Sequence, residues 1–435
     1  MKRDSFGSSF GVLVALIGSA VGLGNLWRFP YLMGENGGAA FIIVYLCFAL
    51  VICLPIMICE FVVGRRSQSN AFGAFKFLAP GTKWKNVGLL NVLASAVVLS
   101  FYSVVGGWSI KYLVLAFGQK FTMSGGEASE AIFNSFVGKT YESIMYTLFF
   151  LLSTGAILVA GVKKGIEKFA KVMMPLLFVL MIVISVKSMT LPGASEGIKY
   201  LFKPDFSKFT ASSAMAAMGQ AFFSLSLGCG TVLTYASYVS KKENIVKCTS
   251  LTALFDALFS LIAGCAIIPA VFAFGISPGQ GPGLVFVTLP AIFAELPAGA
   301  FIGILFFISL FLAAITSSVS LLEVVIAFLM EERKMKRKAA VDLSMAIFAV
   351  LAILCSLSDK LFNLFDFVSS NILMTLGALF VVIFVGQKMS KIDFEDEISN
   401  GGQIVLKRGF LRFLYFIIRF VAPIIVVGIL LAGLI

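Results

Sequence analysis

The stretch Ser19-Ala-Val-Gly-Leu-Gly-Asn-Leu-Trp-Arg-Phe29 decides the fold of this chain. It lies inside an otherwise apolar run, residues 10–29, that is long enough to cross a bilayer, yet it contains two glycines, an asparagine and an arginine. Glycine permits backbone conformations that interrupt a helix. Non-helical backbone persists in a membrane only where protein or a wet cavity satisfies its polar groups. A spanning helix interrupted here therefore indicates a binding site.

The composition is that of a membrane protein. Of the 435 residues, 59% are hydrophobic and 13% are charged, whereas about one-quarter of a soluble globular chain is charged. Because a spanning helix needs about 20 apolar residues, the sequence predicts an all-α polytopic membrane protein with eleven transmembrane helices. The predicted spans 1 to 11 are residues 9–35, 39–64, 87–118, 142–161, 168–190, 211–239, 245–275, 298–330, 339–357, 361–387 and 410–434.

Lysine and arginine residues concentrate on alternate loops between these spans. The positive-inside rule places such loops in the cytoplasm. It predicts a cytoplasmic amino terminus and, after eleven spans, an extracytoplasmic carboxyl terminus. The net charge of +12 then needs no nucleic-acid partner. No Asn-x-Ser/Thr glycosylation acceptor occurs, which suits the inner (plasma) membrane of a bacterium.

The chain contains seven cysteines and no histidine. The cysteines lie in or beside apolar spans, and we interpret them as buried free thiols, because cysteine behaves as a small hydrophobe. Without histidine, the commonest general base and metal ligand is missing, and no pairing of Asp, Glu or Lys has a spacing that suits an intramembrane hydrolase. A channel would need a continuous polar pore, and the spans show no ring of like residues. These patterns argue against an enzyme and against a channel.

A second glycine pair interrupts span 6, at Gly228-Cys-Gly230. The two breaks are five spans apart, so the second unit begins with the opposite membrane orientation. This pattern predicts an inverted repeat of spans 1–5 and 6–10, with a site at the midplane between broken helices 1 and 6. The single transporter domain, residues 1–435, would divide into a first repeat (1–190), a second repeat (191–390) and a peripheral helix 11 (391–435).

Four motifs fall on spans 1, 6 and 8 and on the loop after span 1. They are Gly18-Ser-Ala-Val-Gly-Leu-Gly-Asn-Leu-Trp-Arg-Phe-Pro30, Glu35-Asn-Gly-Gly38, Ser224 to Gly230 followed by Thr234-Tyr-Ala-Ser-Tyr238, and Thr316-Ser-Ser318. Together they resemble the neurotransmitter:sodium symporter family, and most closely its bacterial, eleven-span amino-acid transporters. The resemblance implies a sodium-coupled secondary active symporter that imports an amino acid by alternating access. A sodium-dependent amino-acid receptor on the same fold, without transport, stays open as the alternative.

The helix breaks suit a zwitterionic amino acid. Amides of Gly22 and Leu23 would face its carboxylate, and carbonyls such as that of Ala20 would face its ammonium. Tyr102 matches the family position whose hydroxyl binds the carboxylate. The residues expected to bind substrate are Ala20, Gly22, Leu23, Gly24, Val98, Tyr102, Phe223, Ser226, Cys229, Ser317 and Leu321. Cys229 stands where some relatives carry phenylalanine, so we expect a neutral hydrophobic L-amino acid, aromatic or large aliphatic.

The resemblance also implies two sodium sites. The first would use Ala20, Asn25, Ser224 and Asp256 together with the substrate carboxylate. The second would use carbonyls of Gly18, Val21 and Ala313 with the hydroxyls of Thr316 and Ser317. Many family members carry asparagine at the position of Asp256, and an intramembrane charge is functional by default. Residues that match the family's chloride site are Tyr45, Gln220, Ser224 and Ser260. We expect Asp256 to supply the negative charge instead, so that chloride is not required.

Charged and aromatic residues near the membrane boundaries predict two gates. Arg28 and Asp366 would close the outer side above the Phe223 ring. The inner gate would pair Arg3 with Glu331; the neighbouring residues expected to take part are Phe6, Ser237 and Tyr238. Two further acids are intramembrane. Glu60 is expected to hydrogen-bond the freed backbone of span 6, whereas Glu323 suits a proton-exchange site, a water-held charge or a backbone partner equally well.

Overall fold

The computed structural model describes residues 4–118, 126–207, 209–276, 283–296 and 298–433. These ranges contain helices and connecting turns, and nine of the helices are long and apolar enough to cross a membrane. They are span 2 (Ala39–Ser67), span 3 (Lys85–Phe117), span 4 (Tyr141–Val159), span 5 (Val162–Met189), span 7 (Ile245–Ala273), span 8 (Gly299–Glu332), span 9 (Arg337–Leu357), span 10 (Asp359–Lys388) and span 11 (Arg408–Ala432). The prediction of a multi-pass helical membrane protein is confirmed.

Span 1 is a bent pair of helices, Ser9–Ala20 and Gly24–Glu35, whose axes differ by 48°. Counted as one crossing, it brings the described spans to ten. The segment that we numbered span 6 consists of two short helices, Ala211–Ser224 and Thr231–Ala236, joined by residues 225–230. Neither piece has the roughly 20 residues of a spanning helix. The eleventh crossing and the inverted repeat therefore stay predictions.

Span 5 begins earlier in the chain than residue 168, where we expected it. A wide helical turn, Val162–Glu167, precedes the rest of the helix, and Gly161 before it has a φ of 85°. The charged residues in this turn had suggested a loop, but Glu167 is buried. Its carboxylate accepts hydrogen bonds from Gly7 N at 2.6 Å and Ser8 Oγ at 2.9 Å. This contact holds the start of span 1 against span 5.

Short helices occupy the connections outside the spans. They are Ala71–Leu78, Gly126–Gly138, Ser195–Phe202, Leu289–Glu295 and Lys391–Ile398. A wide turn, Leu284–Thr288, leads into the fourth of them.

Burial separates an inner group of spans from an outer group. In the most apolar window of span 3, 72% of the residues are buried, and the value for span 8 is 67%. The corresponding values for spans 5, 9 and 11 are 33%, 33% and 28%, so these helices present apolar side chains at the surface of the molecule. The first helix of span 1 packs against spans 5, 7 and 8. The two breaks consequently lie in the interior.

Candidate substrate and ion site

The break in span 1 leaves amide groups that point into the interior. Val21 is extended, with a φ of −70° and a ψ of 106°, and helical geometry resumes at Leu23. Leu23 N donates to the hydroxyl of Tyr102 at 3.3 Å. A β-carbon on Gly22 would lie 2.4 Å from Ser317 Oγ. Glycine is therefore required here so that spans 3 and 8 can approach the exposed backbone.

Residues 225–230 interrupt span 6 with three left-handed residues, Ser226, Gly228 and Gly230, whose φ values are 52°, 79° and 76°. Glycine adopts this conformation at little cost. Ser226 Oγ donates to Ser19 O at 3.2 Å, which links the two breaks directly. Gly228 N donates to Glu60 Oε1 at 2.6 Å, which confirms the expected role of Glu60.

The two breaks face one central cavity. All eleven residues predicted to bind substrate line it, and two further lining residues are Ser224 and Met374. No side chain in this lining carries a charge. A ligand at this place meets apolar side chains, hydroxyl groups and the main-chain groups of the breaks. The structure thus brings the predicted set together, and its role in binding substrate stays a prediction.

Asp256 of span 7 anchors a buried polar cluster next to the cavity. Its carboxylate accepts hydrogen bonds from Asn25 Nδ2 at 2.8 Å, from Ser224 Oγ at 2.8 and 2.9 Å, and from the Tyr45 hydroxyl at 3.2 Å. Asn25 Nδ2 also donates to Ser260 Oγ at 2.9 Å. Among the described residues, no lysine or arginine forms an ion pair with Asp256, which is 1% exposed.

A buried carboxylate without a cationic partner is costly, so this cluster is suited to a bound cation. The oxygens of the carboxylate and of the hydroxyl groups around it are hard ligands. Within the described ranges, no group of three or more His, Cys, Asp or Glu side chains could hold a metal ion. Hard oxygen ligands of this kind suit a cation such as Na⁺. Asn25 Oδ1 accepts from Gly22 N at 2.9 Å, which connects the cluster to the break of span 1.

The residues predicted for a second ion site meet where spans 1 and 8 touch. Ser317 Oγ donates to Ser19 O and Val21 O, both at 3.4 Å. Thr316 Oγ1 donates to its own helix, to Leu312 O and Ala313 O at 3.0 Å, which is the usual behaviour of a hydroxyl in a helix. A β-carbon on Gly18 would lie 3.5 Å from Thr316 Cβ. Oxygen atoms from both spans are thus close together.

The outer gate residues face a vestibule of about 270 Å³ above the Phe223 ring. The Arg28 guanidinium lies 4.9 Å from the centre of that ring. Asp366 Oδ1 accepts from Ser370 Oγ at 3.2 Å. No ion pair within 4.0 Å joins Arg28 to Asp366, although both are described and both line the vestibule. The expected pairing is not formed in this conformation.

At the inner end, Phe6 closes against the second helix of span 6. Its ring lies 5.8 Å from that of Tyr235 and 6.4 Å from that of Tyr238, and Phe6 N donates to Tyr238 O at 3.2 Å. Ser237 Oγ donates to Thr234 O at 2.5 Å. Arg3, the predicted partner of Glu331, lies outside the described residues. Glu331 Oε2 accepts from Asn70 N at 2.8 Å and from Asn70 Nδ2 at 2.9 Å.

Two functional contacts escaped the sequence. Glu323 pairs with Arg337 of span 9, with Nη2 to Oε2 at 2.6 Å, and also accepts from the Tyr238 hydroxyl at 2.8 Å. None of the three roles that we considered for Glu323 was an ion pair. Asn91 of span 3, with its amide nitrogen facing span 6, donates to Gly228 O at 3.3 Å. Both main-chain groups of Gly228 are therefore held, the N–H by Glu60 and the C=O by Asn91.

Comparisons with known proteins agree with this geometry. The sodium:neurotransmitter symporter family model matches residues 3–129 and 129–435. The chain is 37% identical to the uncharacterized sodium-dependent transporter YhdH of Bacillus subtilis, with 98% of this chain and 96% of the relative covered. It is 36% identical to an uncharacterized sodium-dependent transporter of Haemophilus influenzae, with 100% and 98% covered. The crystal structure of MhsT in complex with L-phenylalanine superposes with a TM-score of 0.91 at 40% identity, covering 99% of this chain and 100% of that one.

Proposed function

The chain belongs to the sodium:neurotransmitter symporter family of secondary transporters, and we propose that it imports a neutral hydrophobic L-amino acid, aromatic or large aliphatic, together with sodium. In this proposal the amino terminus is cytoplasmic and the carboxyl terminus is extracytoplasmic. No covalent chemistry is required of the protein, because the family transports its substrates rather than converting them.

One observation carries the proposal: the two helix breaks face a cavity without a charged side chain. A zwitterion can be bound there by main-chain groups, with its carboxylate at the amides of Gly22 and Leu23 and near the Tyr102 hydroxyl. Among the described residues that line the cavity, no lysine, arginine or acid is present to balance a charged substrate side chain. The complex of MhsT with L-phenylalanine supports a hydrophobic substrate for a relative that is 40% identical.

The cavity must enlarge to admit such a substrate. It measures about 30 Å³ in this conformation, whereas the vestibule beyond the Phe223 ring measures about 270 Å³. Substrate would enter from the vestibule, displace the Phe223 ring and separate the side chains of Val98 and Leu321. Among the described residues, Arg28 and Asp366 form no ion pair above the vestibule, and Phe6 packs on span 6 at the inner side. This conformation therefore suits substrate entry from outside.

Coupling would follow from the ion cluster next to the cavity. We propose two Na⁺ ions, the first held by Ala20, Asn25, Ser224 and Asp256, the second by residues of spans 1 and 8. Asn25 accepts a hydrogen bond from Gly22, whose amide would also face the substrate carboxylate. An ion at Asn25 and a substrate at Gly22 therefore act on the same segment of backbone, and each favours the other by stabilising one state.

The proposal also states that transport does not require chloride. The Tyr45 hydroxyl and Ser260 Oγ, which match the family's chloride ligands, are 3.3 Å apart and both lie next to Asp256. Its carboxylate occupies the region where an anion would otherwise balance sodium.

Opening of the inner side would require the Glu323–Arg337 pair and the Phe6 contacts to separate.

Proteoliposomes that contain the full chain provide the test. We expect an inward sodium gradient to drive accumulation of labelled phenylalanine or leucine above its equilibrium level, and a sodium ionophore to abolish it. Replacement of external chloride by gluconate should leave the initial rate unchanged. Equal accumulation in choline would contradict sodium coupling, and sodium-dependent binding without accumulation would favour a receptor. Loss of uptake in gluconate would contradict only the role of Asp256 in place of chloride, and not sodium coupling.

A further inference from the structure

Span 11 carries an arginine inside its apolar segment. Arg419 lies in Phe413-Leu-Tyr-Phe-Ile-Ile-Arg-Phe-Val-Ala422, and its side chain is exposed at the surface of the molecule. Among the described residues, no carboxylate pairs with it. A charged side chain on the lipid-facing surface of a span is unfavourable unless it reaches an anion or water. Its guanidinium lies 5.5 Å from the centre of the Phe420 ring, which carries no net charge, so the structure leaves an anionic partner of Arg419 to be supplied from outside the protein.

The depth of Arg419 is fixed by its contact with span 10. A β-carbon on Gly386 would lie 3.0 Å from Arg419 Cα, so the two backbones touch. Gly386 is two residues before Lys388, the last residue of span 10, which places Arg419 about 3 Å inside that charged helix end at 1.5 Å per residue. An arginine side chain is long enough to reach the headgroup layer from there.

Two more arginines lie on the same side of span 11. Arg408 and Arg412 precede Arg419 by eleven and seven residues, which are spacings that bring side chains to one face of a helix. Both are exposed, and neither forms an ion pair among the described residues. We call Arg408, Arg412 and Arg419 the arginine stripe. It runs from the helix end toward the apolar part of the span.

The lower part of the stripe borders a groove of about 670 Å³ between the helix Lys391–Ile398 and span 11. Two acids in its lining are already engaged, since Glu395 lies 3.6 Å from Lys391 and Asp396 lies 3.3 Å from Arg66. Beside these charges, Ile392 and Val405 are 79% and 96% exposed. Unpaired guanidinium groups next to exposed apolar side chains match a molecule with an anionic head and an apolar body.

From this arrangement we propose that the arginine stripe binds an anionic phospholipid of the surrounding bilayer. Guanidinium groups bind phosphate oxygens through two parallel hydrogen bonds, and basic pockets beside spans are suited to acidic headgroups. Arg412 and Arg419 hold the phosphate, Arg408 contacts the outer part of the headgroup, and the acyl chains lie along the apolar face of span 11. This inference is independent of the transported substrate.

The experiment uses the full chain in a non-ionic detergent. Native mass spectrometry counts bound lipid during titration with phosphatidylglycerol or phosphatidylcholine of identical acyl chains. Because basic residues near a membrane surface favour an acidic lipid, we expect wild type to bind phosphatidylglycerol about tenfold more tightly than phosphatidylcholine, or better. Arg412→Gln/Arg419→Gln should remove most of this preference, and Arg412→Lys/Arg419→Lys should retain an intermediate part.

The matched control is Lys241→Gln/Lys242→Gln, which removes the same charge from exposed residues that precede span 7. It should bind phosphatidylglycerol as wild type does. Equal affinity of wild type for the two lipids overturns the proposal without any variant. An equal loss of the phosphatidylglycerol preference in the control variant would show that the preference comes from general surface charge, and would overturn the proposal. Competition by millimolar inorganic phosphate would overturn the assignment to a lipid. If the double variant does not fold, Arg419→Gln alone must lower the preference.

Discussion

Asn25 Nδ2 donates a hydrogen bond to Asp256 Oδ1 at 2.8 Å, so the break of span 1 is tied to a carboxylate in the middle of span 7. Both side chains are buried, with exposed fractions of 0% and 1%. A neutral amide stabilises a buried carboxylate far less than a cation would. The contact therefore leaves a negative site beside the backbone amides that substrate would use, and a sodium ion can complete it.

Replacement of Asp256 by asparagine should make transport depend on chloride. The change keeps the shape and one oxygen ligand but removes the fixed charge between Tyr45, Ser224 and Ser260. In gluconate buffer we expect the initial rate of sodium-driven uptake to fall about tenfold or more, which corresponds to about 1.4 kcal/mol. Addition of chloride should restore part of that rate. The measurement is uptake into proteoliposomes against chloride concentration.

Asp342→Asn is the control for this charge removal, because Asp342 is an exposed acid of span 9. Its uptake should match wild type in both buffers. A chloride-insensitive Asp256→Asn variant with normal uptake would show that the carboxylate does not stand in for the anion.

Glycine patterns and the family resemblance located the central cavity before the structure did. Gly22 and Gly228 can be recognised from the local sequence, because a glycine pair inside an apolar run permits a backbone conformation that interrupts the helix. Met374 lines the same cavity, but a methionine in an apolar span is ordinary and gives no such signal. Its position depends on how span 10 packs against span 6, which residue spacing within one helix does not determine.

The Glu323–Arg337 pair was not predicted from the sequence for the same reason. The two residues lie on different helices, and the turn between spans 8 and 9 brings them together. Helical spacing therefore gave no reason to pair them. The separation of Arg28 from Asp366 is a different matter, because the two residues were predicted to pair when the outer side closes, and both line the vestibule without an ion pair in this conformation. That distance depends on whether the outer side is open or closed, and one sequence encodes both states.

Cys229→Phe should discriminate between substrates by size. Cys229 is 1% exposed in the wall of the cavity, and its thiol donates to Ser226 O at 2.9 Å. Overfilling a packed site costs about 1–3 kcal/mol, and a large substrate meets more of the added ring than a small one. We expect the KM for phenylalanine to rise about tenfold and the KM for alanine to change by less than threefold. Competition assays with both amino acids measure this ratio.

Cys265→Phe serves as the matched substitution, since Cys265 is a half-buried thiol of span 7 outside the cavity lining. It should leave both KM values unchanged. Equal increases for phenylalanine and alanine in Cys229→Phe would contradict the placement of the substrate side chain at this wall.

Arg337→Gln should weaken closure of the inner side. It leaves the fully buried Glu323 carboxylate without its cation, and removal of one partner from a buried pair costs about 3–5 kcal/mol. We expect a lower thermal midpoint and a severalfold higher sodium concentration for half-maximal substrate binding, because sodium must then also restore the closed inner side. Both quantities are measurable on purified protein.

A double variant that lacks both charges tests whether the loss of stability is electrostatic. Glu323→Gln/Arg337→Gln removes both charges and should recover much of the stability that either single change loses. Lys338→Gln, an exposed neighbour, should behave as wild type. Losses that simply add in the double variant would show that the two side chains act independently.

Asn91 should position the break of span 6 from the side opposite Glu60. Its amide nitrogen lies 3.3 Å from Gly228 O, while Glu60 Oε1 lies 2.6 Å from Gly228 N. Asn91→Leu leaves a buried carbonyl unpaired at a cost of about 1–3 kcal/mol. The neighbouring residue in the chain is Cys229, in the wall of the cavity. We therefore expect the substrate KM to rise about tenfold, with a much smaller change in maximal rate.

Asn91→Asp separates a positioning role from a packing role. The side chains have the same shape, and a carboxyl group buried beside a carbonyl oxygen is held neutral, so its O–H can still donate to Gly228 O. This variant should therefore keep a lower KM than Asn91→Leu. Ser344→Ala controls for the loss of a buried polar group, because Ser344 Oγ has no hydrogen-bond partner among the residues that the structure describes. Its kinetics should match wild type. A normal KM in Asn91→Leu would mean that the donor is not needed, and that packing alone by span 3 holds the break of span 6.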